Sequence, residues 1–149
     1  ALKSADISGL KVVGLKTAMK NGEAFLESVM TNTSAEYNFG YARKGGGSQA
    51  CTAVGTLCRM YMGWTPKTPS LVRGVEHLKK TPPSGSRVDL YFQYYATQVM
   101  HFYEGPDWHK LWNPAMQKTF LGAQDKSGGV NNGSWEAGFG SGFPGRHGV

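Results

Sequence analysis

Apolar and aromatic side chains fill the segment LYFQYYATQVMHFY at 90–103, where the titratable His101 is the one side chain that can carry a basic charge. They occur around the whole circumference of the helix that this segment would form. A membrane span needs about 20 residues, so this helix is too short to cross a bilayer and must be buried against other helices. Asp89 supplies an N-cap and Gly105 an end. The pattern therefore predicts a central helix over 90–103.

A second helix of the inner kind is predicted at 49–62. Small residues dominate this segment, and Arg59 is its only charged side chain. Ser48 provides the N-cap and Gly63 the end. Because small side chains allow close packing on several sides, we expect this helix to lie in an inner layer.

Helices with one apolar face are predicted at three other places, and we assign them to an outer layer. Thr68 and Pro69 open one of them, as N-cap and first helical residue. Its apolar stripe consists of Leu71, Val72, Val75 and Leu78. The other two are predicted at 12–30, with a break or kink at Asn21–Gly22, and at 114–123; residues 1–10 are predicted as the tail of a helix, and 31–47 and the residues after Gln124 as loops.

Inner and outer helices alternate along the chain, as helix–loop–helix pairs with a repeat of roughly 40–50 residues. This order predicts an all-α fold, a stacked array of antiparallel helical hairpins in two layers. The 149 residues are enough for one domain with a real core. The chain opens without an initiator Met, so we expect a fragment.

Charge and composition narrow the functional classes. The net charge of +6 comes from Lys and Arg residues scattered along the chain. A nucleic-acid surface normally clusters its basic residues on one face, so we do not expect a nucleic-acid partner. We expect no signal peptide and no transmembrane run within these residues.

Catalytic and metal-binding patterns are not recognisable in the sequence. The aspartates are isolated, and the four histidines do not form a metal-spaced set with Cys51 and Cys58. Those cysteines fall on one helix face about 10 Å apart, too far for a disulfide, and are predicted to be core residues. We therefore expect no catalytic residue, no metal and no cofactor in this chain.

The sequence FLGAQ at 120–124, followed by Gly133, Ser134 and Trp135, resembles the QW motif of squalene-hopene cyclases and related terpenoid cyclases. The gap between its two halves is longer than the motif usually has. At 37–64 a turn rich in glycine and aromatic residues leads into the small-residue helix, which is similar to the same repeat family. Together with YYATQVM at 94–100 and WHKLWNPAMQ at 108–117, the chain resembles prenyltransferase and squalene-oxidase repeat proteins of planctomycete bacteria.

The resemblance implies an (α/α) toroid, in which inner helices line a cavity and outer helices surround them. A complete ring needs more helix pairs, so residues 1–149 are predicted to be a single-domain arc, truncated at both ends. In the QW motif the glutamine and tryptophan tie an outer helix to the following turn. The resemblance thus implies a structural role for Gln124, Gly133 and Trp135, with the Gln124 amide bonding loop backbone groups.

Aromatic residues of the central helix are the candidate ligand-binding residues. Tyr94, Tyr95, His101 and Phe102 could line a cavity for an extended apolar ligand, and in the cyclases such rings stabilise carbocations by cation–π attraction. The alternative is that they fill the core, each tyrosine hydroxyl finding one partner. Trp108, Trp112 and Trp135 are predicted to pack between outer helices and loops.

Three functional hypotheses remain. The first is a non-catalytic, terpenoid-cyclase-like repeat module that binds an apolar small molecule or a protein partner. The second is part of an isoprenoid-processing enzyme, a cyclase or prenyltransferase, whose catalytic acid lies outside this chain, because the DxDD acid of the cyclases and the zinc ligands of the prenyltransferases are missing. The third is a polysaccharide lyase or glycosidase on the same toroid, for which Glu104 and Asp107 are too few carboxylates.

Overall fold

The computed structural model describes residues 1–34, 36–85, 88–136 and 139–140, and the chain divides into two compact units, Ala1–His77 and Leu78–Val149. The described residues are mostly helical, as predicted, and contain one small sheet. No described helix combines the length and the apolar character that crossing a membrane requires. The elements are α1 Leu2–Ile7, α2 Leu15–Val29, β1 Met30–Asn32, β2 Tyr37–Phe39, α3 Gln49–Tyr61, α4 Pro69–Leu78, α5 Leu90–Tyr103, a π-helical segment Trp108–Trp112 and α6 Asn113–Ala123.

The prediction of an all-α fold is wrong where β1 and β2 form an antiparallel hairpin, which begins at the last residue of the helix predicted at 12–30 and continues into the segment predicted as a loop. Met30 pairs with Phe39, and α2 passes directly into β1. Tyr37 and Phe39 are buried on one face of β2, with Asn38 between them. That alternation is the period of a half-buried strand, and the abundant polar and glycine residues around it concealed it.

Helix α3 confirms the prediction of a buried, small-residue helix. Ser48 caps it by accepting a hydrogen bond from the Cys51 backbone N–H, at 3.2 Å from N to Oγ. Ala53 is fully buried, and so is most of the helix surface around it. Cys51 and Cys58 are free thiols, each half-buried.

The neighbouring helices of the first unit follow their predictions in outline. Helix α2 runs without interruption through Asn21–Gly22, so the predicted break is not present. Helix α4 starts at Pro69, and its stripe residues Leu71 and Val75 are buried. Val72 of the predicted stripe is only half-buried.

Helix α5 has the predicted bounds, and Asp89 caps it through a 2.9 Å hydrogen bond from the Phe92 backbone N–H. The prediction that it is buried all round is wrong. Ala96 and Val99 are inaccessible to solvent, but Tyr94 is 64% exposed. Tyrosine carries a polar hydroxyl on an apolar ring, so it tolerates a boundary with water where a purely aliphatic side chain would not.

The segment after α5 contains a helical feature whose type was not predicted. Glu104 ends α5 in a left-handed backbone conformation with φ of 58°, and a π-helical turn at Trp108–Trp112 then continues into α6. Trp112, at the end of this turn, is fully buried and packs against Phe92 and Thr97 of α5, the predicted central helix, rather than between outer helices and loops. The arrangement of the helices as two layers of a ring is not shown, and the single-domain arc stays a prediction.

Candidate functional site

An apolar groove of about 520 Å³ lies between α5 and α6, within the second unit. Both walls are helical, so the side chains that line it are held on rigid elements. The lining residues are Leu90, Gln93, Tyr94, Thr97 and Gln98 of α5 and Met116, Gln117, Phe120 and Leu121 of α6.

The helical repeat explains which residues line the groove. On α5, positions 90, 94, 97 and 98 follow the i, i+4, i+7, i+8 pattern of one helix face. On α6, position 120 lies four residues after 116 and position 121 four residues after 117, so these residues also share one face. Each helix therefore presents one mixed apolar and amide stripe to the groove.

A buried tryptophan fixes the inner wall of the groove. The Trp112 indole N–H donates to the Thr97 hydroxyl, with 2.9 Å between Nε1 and Oγ1. The ring of Phe92 stands edge-on to that indole at a centroid distance of 6.5 Å. Thr97 is thereby held in position, because its partner is itself packed in the core.

Two of the three glutamine amides in the groove make hydrogen bonds within their own helix. Gln98 Nε2 donates to the Tyr94 carbonyl at 3.2 Å, and Gln117 Nε2 donates to Asn113 Oδ1 at 3.1 Å. Gln93 differs, because its Oε1 is buried and accepts no hydrogen bond from the described residues. This acceptor is buried within the wall of the groove and has no donor among the residues that the structure describes.

The four predicted ligand-binding residues do not all lie in this groove. Tyr94 lines it, and the ring of Tyr95 stands edge-on to Tyr94 at 5.0 Å but is not a lining residue. His101 packs its ring against Trp108, with centroids 4.9 Å apart. Phe102 is half exposed and also lies outside the lining set.

None of the lining residues Gln93, Thr97, Met116, Phe120 and Leu121 was predicted from the sequence to bind a ligand. A signal for them exists in the sequence. The stripe at 90, 94, 97 and 98 and the stripe at 116, 120 and 121 are each continuous on one helix face. What the sequence does not indicate is that these two stripes face each other.

The C-terminal end of α6 is tied to the loop that follows it. Gln124 Nε2 donates to the Gly133 carbonyl at 2.7 Å, and Trp135 Nε1 donates to the Phe120 carbonyl at 2.7 Å. Gln124 and Trp135 also form an isolated antiparallel bridge. The structure thus brings Gln124, Gly133 and Trp135 together at the end of α6 that carries Phe120 and Leu121.

Backbone hydrogen bonds within this loop and the carboxylate of Asp125 also hold it together. Asp125 exchanges backbone hydrogen bonds of 2.8 Å with Ser134 and Gly133. Its carboxylate accepts from the Ser127 backbone N–H at 2.7 Å, and hydrogen bonds from Ser127 hold the pKa of Asp125 below its usual value. This carboxylate therefore stabilises a turn, and it does not line the groove.

The chemistry that the groove can support follows from its lining. None of the lining residues carries a carboxylate, an imidazole, a thiol or a cationic group. Among the residues that the structure describes, no group of three or more His, Cys, Asp and Glu side chains could hold a metal ion. The groove can bind apolar surface and exchange hydrogen bonds, but its own side chains supply no strong acid or metal ligand.

A buried cation in the first unit was not anticipated. Arg59 of α3 is 3% exposed, and its guanidinium pairs with Glu27 and, at 3.7 Å, with Glu23 of α2. Its guanidinium carbon lies 5.2 Å from the centre of the Trp64 ring. The two glutamates are four residues apart on α2, which is the sequence signal for a shared partner. The cluster joins α2 to α3.

No family model, curated protein or solved structure matches this chain. The resemblance of the 120–135 region to the QW motif therefore stays a prediction.

Proposed function

We propose that this chain is a non-catalytic repeat module, similar to terpenoid-cyclase-like repeat proteins, that binds an elongated apolar ligand between α5 and α6. The observation that carries the proposal is the groove itself. Its volume, about 520 Å³, falls within the range of roughly 300–1,000 Å³ found for small-molecule sites. Its lining is apolar and amide, without a charged group.

The aromatic surface of α5 supports a small-molecule ligand. Tyr94, at 64% exposure, and Leu121, at 51%, are apolar groups that remain open to water beside the groove. An apolar ligand bound between them buries apolar surface of both residues. Each Å² of apolar surface buried contributes roughly 25 cal/mol to the free energy of binding. An elongated shape fits because the walls are two helices, each presenting a stripe along its length.

The proposed architecture is the arc of an (α/α) toroid. In this proposal α3 and α5 belong to the inner layer and α2, α4 and α6 to the outer layer. The burial of α3 and the one-sided stripe of α4 support those assignments. The exposed side of α5 would then face the central cavity of the complete ring, where a ligand would approach it.

The alternative of an isoprenoid-processing enzyme requires an acid or a metal at the ligand. The lining residues supply neither, so in this proposal the groove holds its ligand without transforming it. Any catalytic acid would have to come from outside this chain.

The experiment is a titration with cis-parinaric acid, a long-chain polyene whose fluorescence rises in an apolar site. The chain offers a closely matched pair of variants, Tyr94→Glu and Tyr91→Glu. Both tyrosines are more than half exposed on α5, and both rings stand edge-on to Tyr95, at 5.0 and 4.9 Å. Only Tyr94 of this pair lines the groove.

Saturable binding by the unmodified protein, weakened about tenfold or more by Tyr94→Glu and unchanged by Tyr91→Glu, is the expected result. A charge at the lining position opposes an apolar chain, whereas the same charge one turn away remains in water. Absence of saturable binding, or equal loss in both variants, would contradict the proposal and leave a protein partner as the remaining hypothesis for this face.

A further inference from the structure

Two Asn–Gly pairs occur in the sequence, Asn21–Gly22 and Asn132–Gly133, and the structure holds them in different ways. The first lies in the middle of α2, where the backbone N–H groups take part in the hydrogen bonds of a helix. The second lies in the exposed loop after α6. An asparagine followed by glycine is chemically labile, because glycine has no side chain to shield its backbone nitrogen from the neighbouring amide.

We infer that Asn132 is a site of spontaneous covalent modification, deamidation to aspartate and isoaspartate. The backbone nitrogen of Gly133 attacks Cγ of Asn132 and closes a cyclic succinimide. The bond between Cγ and Nδ2 breaks, and Nδ2 leaves as ammonia with the proton of the Gly133 nitrogen. Water then opens the ring at either of its carbonyl carbons. One product is aspartate, and the other is isoaspartate, in which the backbone runs through Cβ and Cγ.

The side chain of Asn132 is held in a way that assists this attack. The Gly128 backbone N–H donates to Asn132 Oδ1, with 3.3 Å between N and O. Negative charge develops on that oxygen when the Gly133 nitrogen adds to Cγ, and a fixed N–H group directed at it stabilises the charge. Asn132 and Gly133 are both exposed, so water reaches the ring that forms.

One hydrogen bond restrains the attacking nitrogen. The Gly133 N–H donates to the Asp125 carbonyl at 2.8 Å, and the nitrogen must be released before it attacks. Opening one bond of an exposed loop costs less than opening a helix interior, where neighbouring residues open together. Gly22 would have to leave the centre of a 15-residue helix to react. The fold thus protects Asn21 and leaves Asn132 reactive.

The test follows both asparagines in one sample. The unmodified protein is kept at physiological pH and temperature, and peptide mass spectrometry measures the conversion of each asparagine amide to an acid over time. A parallel sample is kept in guanidinium chloride, where the chain is unfolded and only the local sequence acts. Asn21 serves as the internal control, because it also precedes a glycine.

The folded protein is expected to convert Asn132 at least about tenfold faster than Asn21, because the loop opens more often than the centre of α2. In guanidinium chloride the two rates are expected to become similar. Equal rates in the folded protein would overturn the inference. A difference that persists unchanged in guanidinium chloride would overturn it as well, because the local sequence alone would then explain the difference.

Two variants separate Asn132 from its neighbour Asn131. Asn132→Gln is expected to abolish the conversion, because glutamine must close a larger ring and reacts slowly. Asn131→Gln is the matched control, since it makes the same exchange one position earlier and keeps the Asn132–Gly133 pair, and the rate is expected to stay that of the unmodified protein. Loss of the conversion in Asn131→Gln but not in Asn132→Gln would overturn the assignment.

Discussion

The ring of Phe39 lies directly against the backbone of Gly55, so the hairpin strand β2 and helix α3 approach as closely as a missing side chain allows. A Cβ atom placed on Gly55 would overlap three carbons of that ring. The ring of Tyr37 lies against Gly74 of α4 in the same way. A Cβ atom added to Gly74 would come within 2.6 Å of the Tyr37 ring. Because Gly55 and Gly74 have no side chain, the two buried aromatic rings of β2 can pack directly against helices α3 and α4.

Gly55→Ala is expected to lower the free energy of unfolding by about 1–3 kcal/mol, because the methyl group must displace a fully packed ring. The measurement is denaturant unfolding followed by circular dichroism. Gly22→Ala is the matched control, since its Cβ would meet Met62 at an ordinary 3.5 Å. Alanine favours a helix by about 0.5–1 kcal/mol over glycine, so the control is expected to be neutral or stabilising. Equal effects at both positions would contradict the close approach.

Tyr37 provides a test at high pH. Burial raises its pKa from 10.0 to about 12, against smaller opposing effects of Thr56, Arg59 and Arg73. The Thr56 hydroxyl donates to the Thr52 carbonyl at 2.7 Å, and the Tyr37 hydroxyl itself has no well-formed hydrogen bond.

The folded protein therefore keeps the Tyr37 proton more firmly than the unfolded chain does. The resulting stabilisation is complete below pH 10 and is lost as the pH rises towards 12, at up to about 1.4 kcal/mol for each pH unit. In Tyr37→Phe this part of the pH dependence is expected to vanish. The measurement is the free energy of unfolding of the unmodified protein and of Tyr37→Phe from pH 9 to pH 12. Parallel pH curves for the two proteins would contradict the raised pKa of Tyr37.

The Arg59 guanidinium is buried, whereas its partners Glu23 and Glu27 are largely exposed. Removing the glutamates is therefore expected to cost more stability than removing the arginine. The double variant Glu23→Gln, Glu27→Gln leaves a buried cation without a counter-charge, at an expected cost of about 1–3 kcal/mol, discounted because both carboxylates are largely exposed. Arg59→Met removes the cation and leaves the glutamates in water, so it is expected to cost less. Urea unfolding of the three proteins decides this, and a larger loss in Arg59→Met would contradict it.

The hydrogen bonds between α6 and the loop that follows it predict how fast trypsin cleaves the chain after Lys126. Trp135→Phe removes the donor to the Phe120 carbonyl, a loss of about 1 kcal/mol. Trypsin cleavage after Lys126 is then expected to quicken about fivefold, since opening of the loop becomes easier. Val130→Ala, at a fully exposed position of the same loop, is the control and should leave the rate unchanged. Unchanged cleavage of Trp135→Phe would show that this hydrogen bond does not close the loop.

Much of the helical structure could be predicted from local signals. The bounds of α5 follow from Asp89 and Gly105, and the start of α3 follows from Ser48, because capping depends on neighbouring residues alone. The hairpin was missed because a three-residue strand has too few positions to show a period among polar neighbours. It is stabilised by Gly55 and Gly74, which lie far from it in sequence.

The site was harder to predict than the fold. The apolar character of α5 drew attention to Tyr94, which lines the groove, but composition cannot tell which side of an aromatic helix another element will cover. Tyr94 remains exposed beside the groove, whereas Phe92 on the same helix is buried. Gln93 carried no sequence signal, because an unsatisfied amide exists only once the surrounding donors have been placed.

The central claim, that the groove between α5 and α6 is a binding site, is tested most directly by backbone amide NMR during titration with dodecanol. The account predicts saturable chemical-shift changes concentrated at the lining positions of α5 and α6, Gln93, Thr97 and Phe120 among them, with little change in Ala1–His77. Changes confined to Ala1–His77, or no saturable change anywhere, would contradict it.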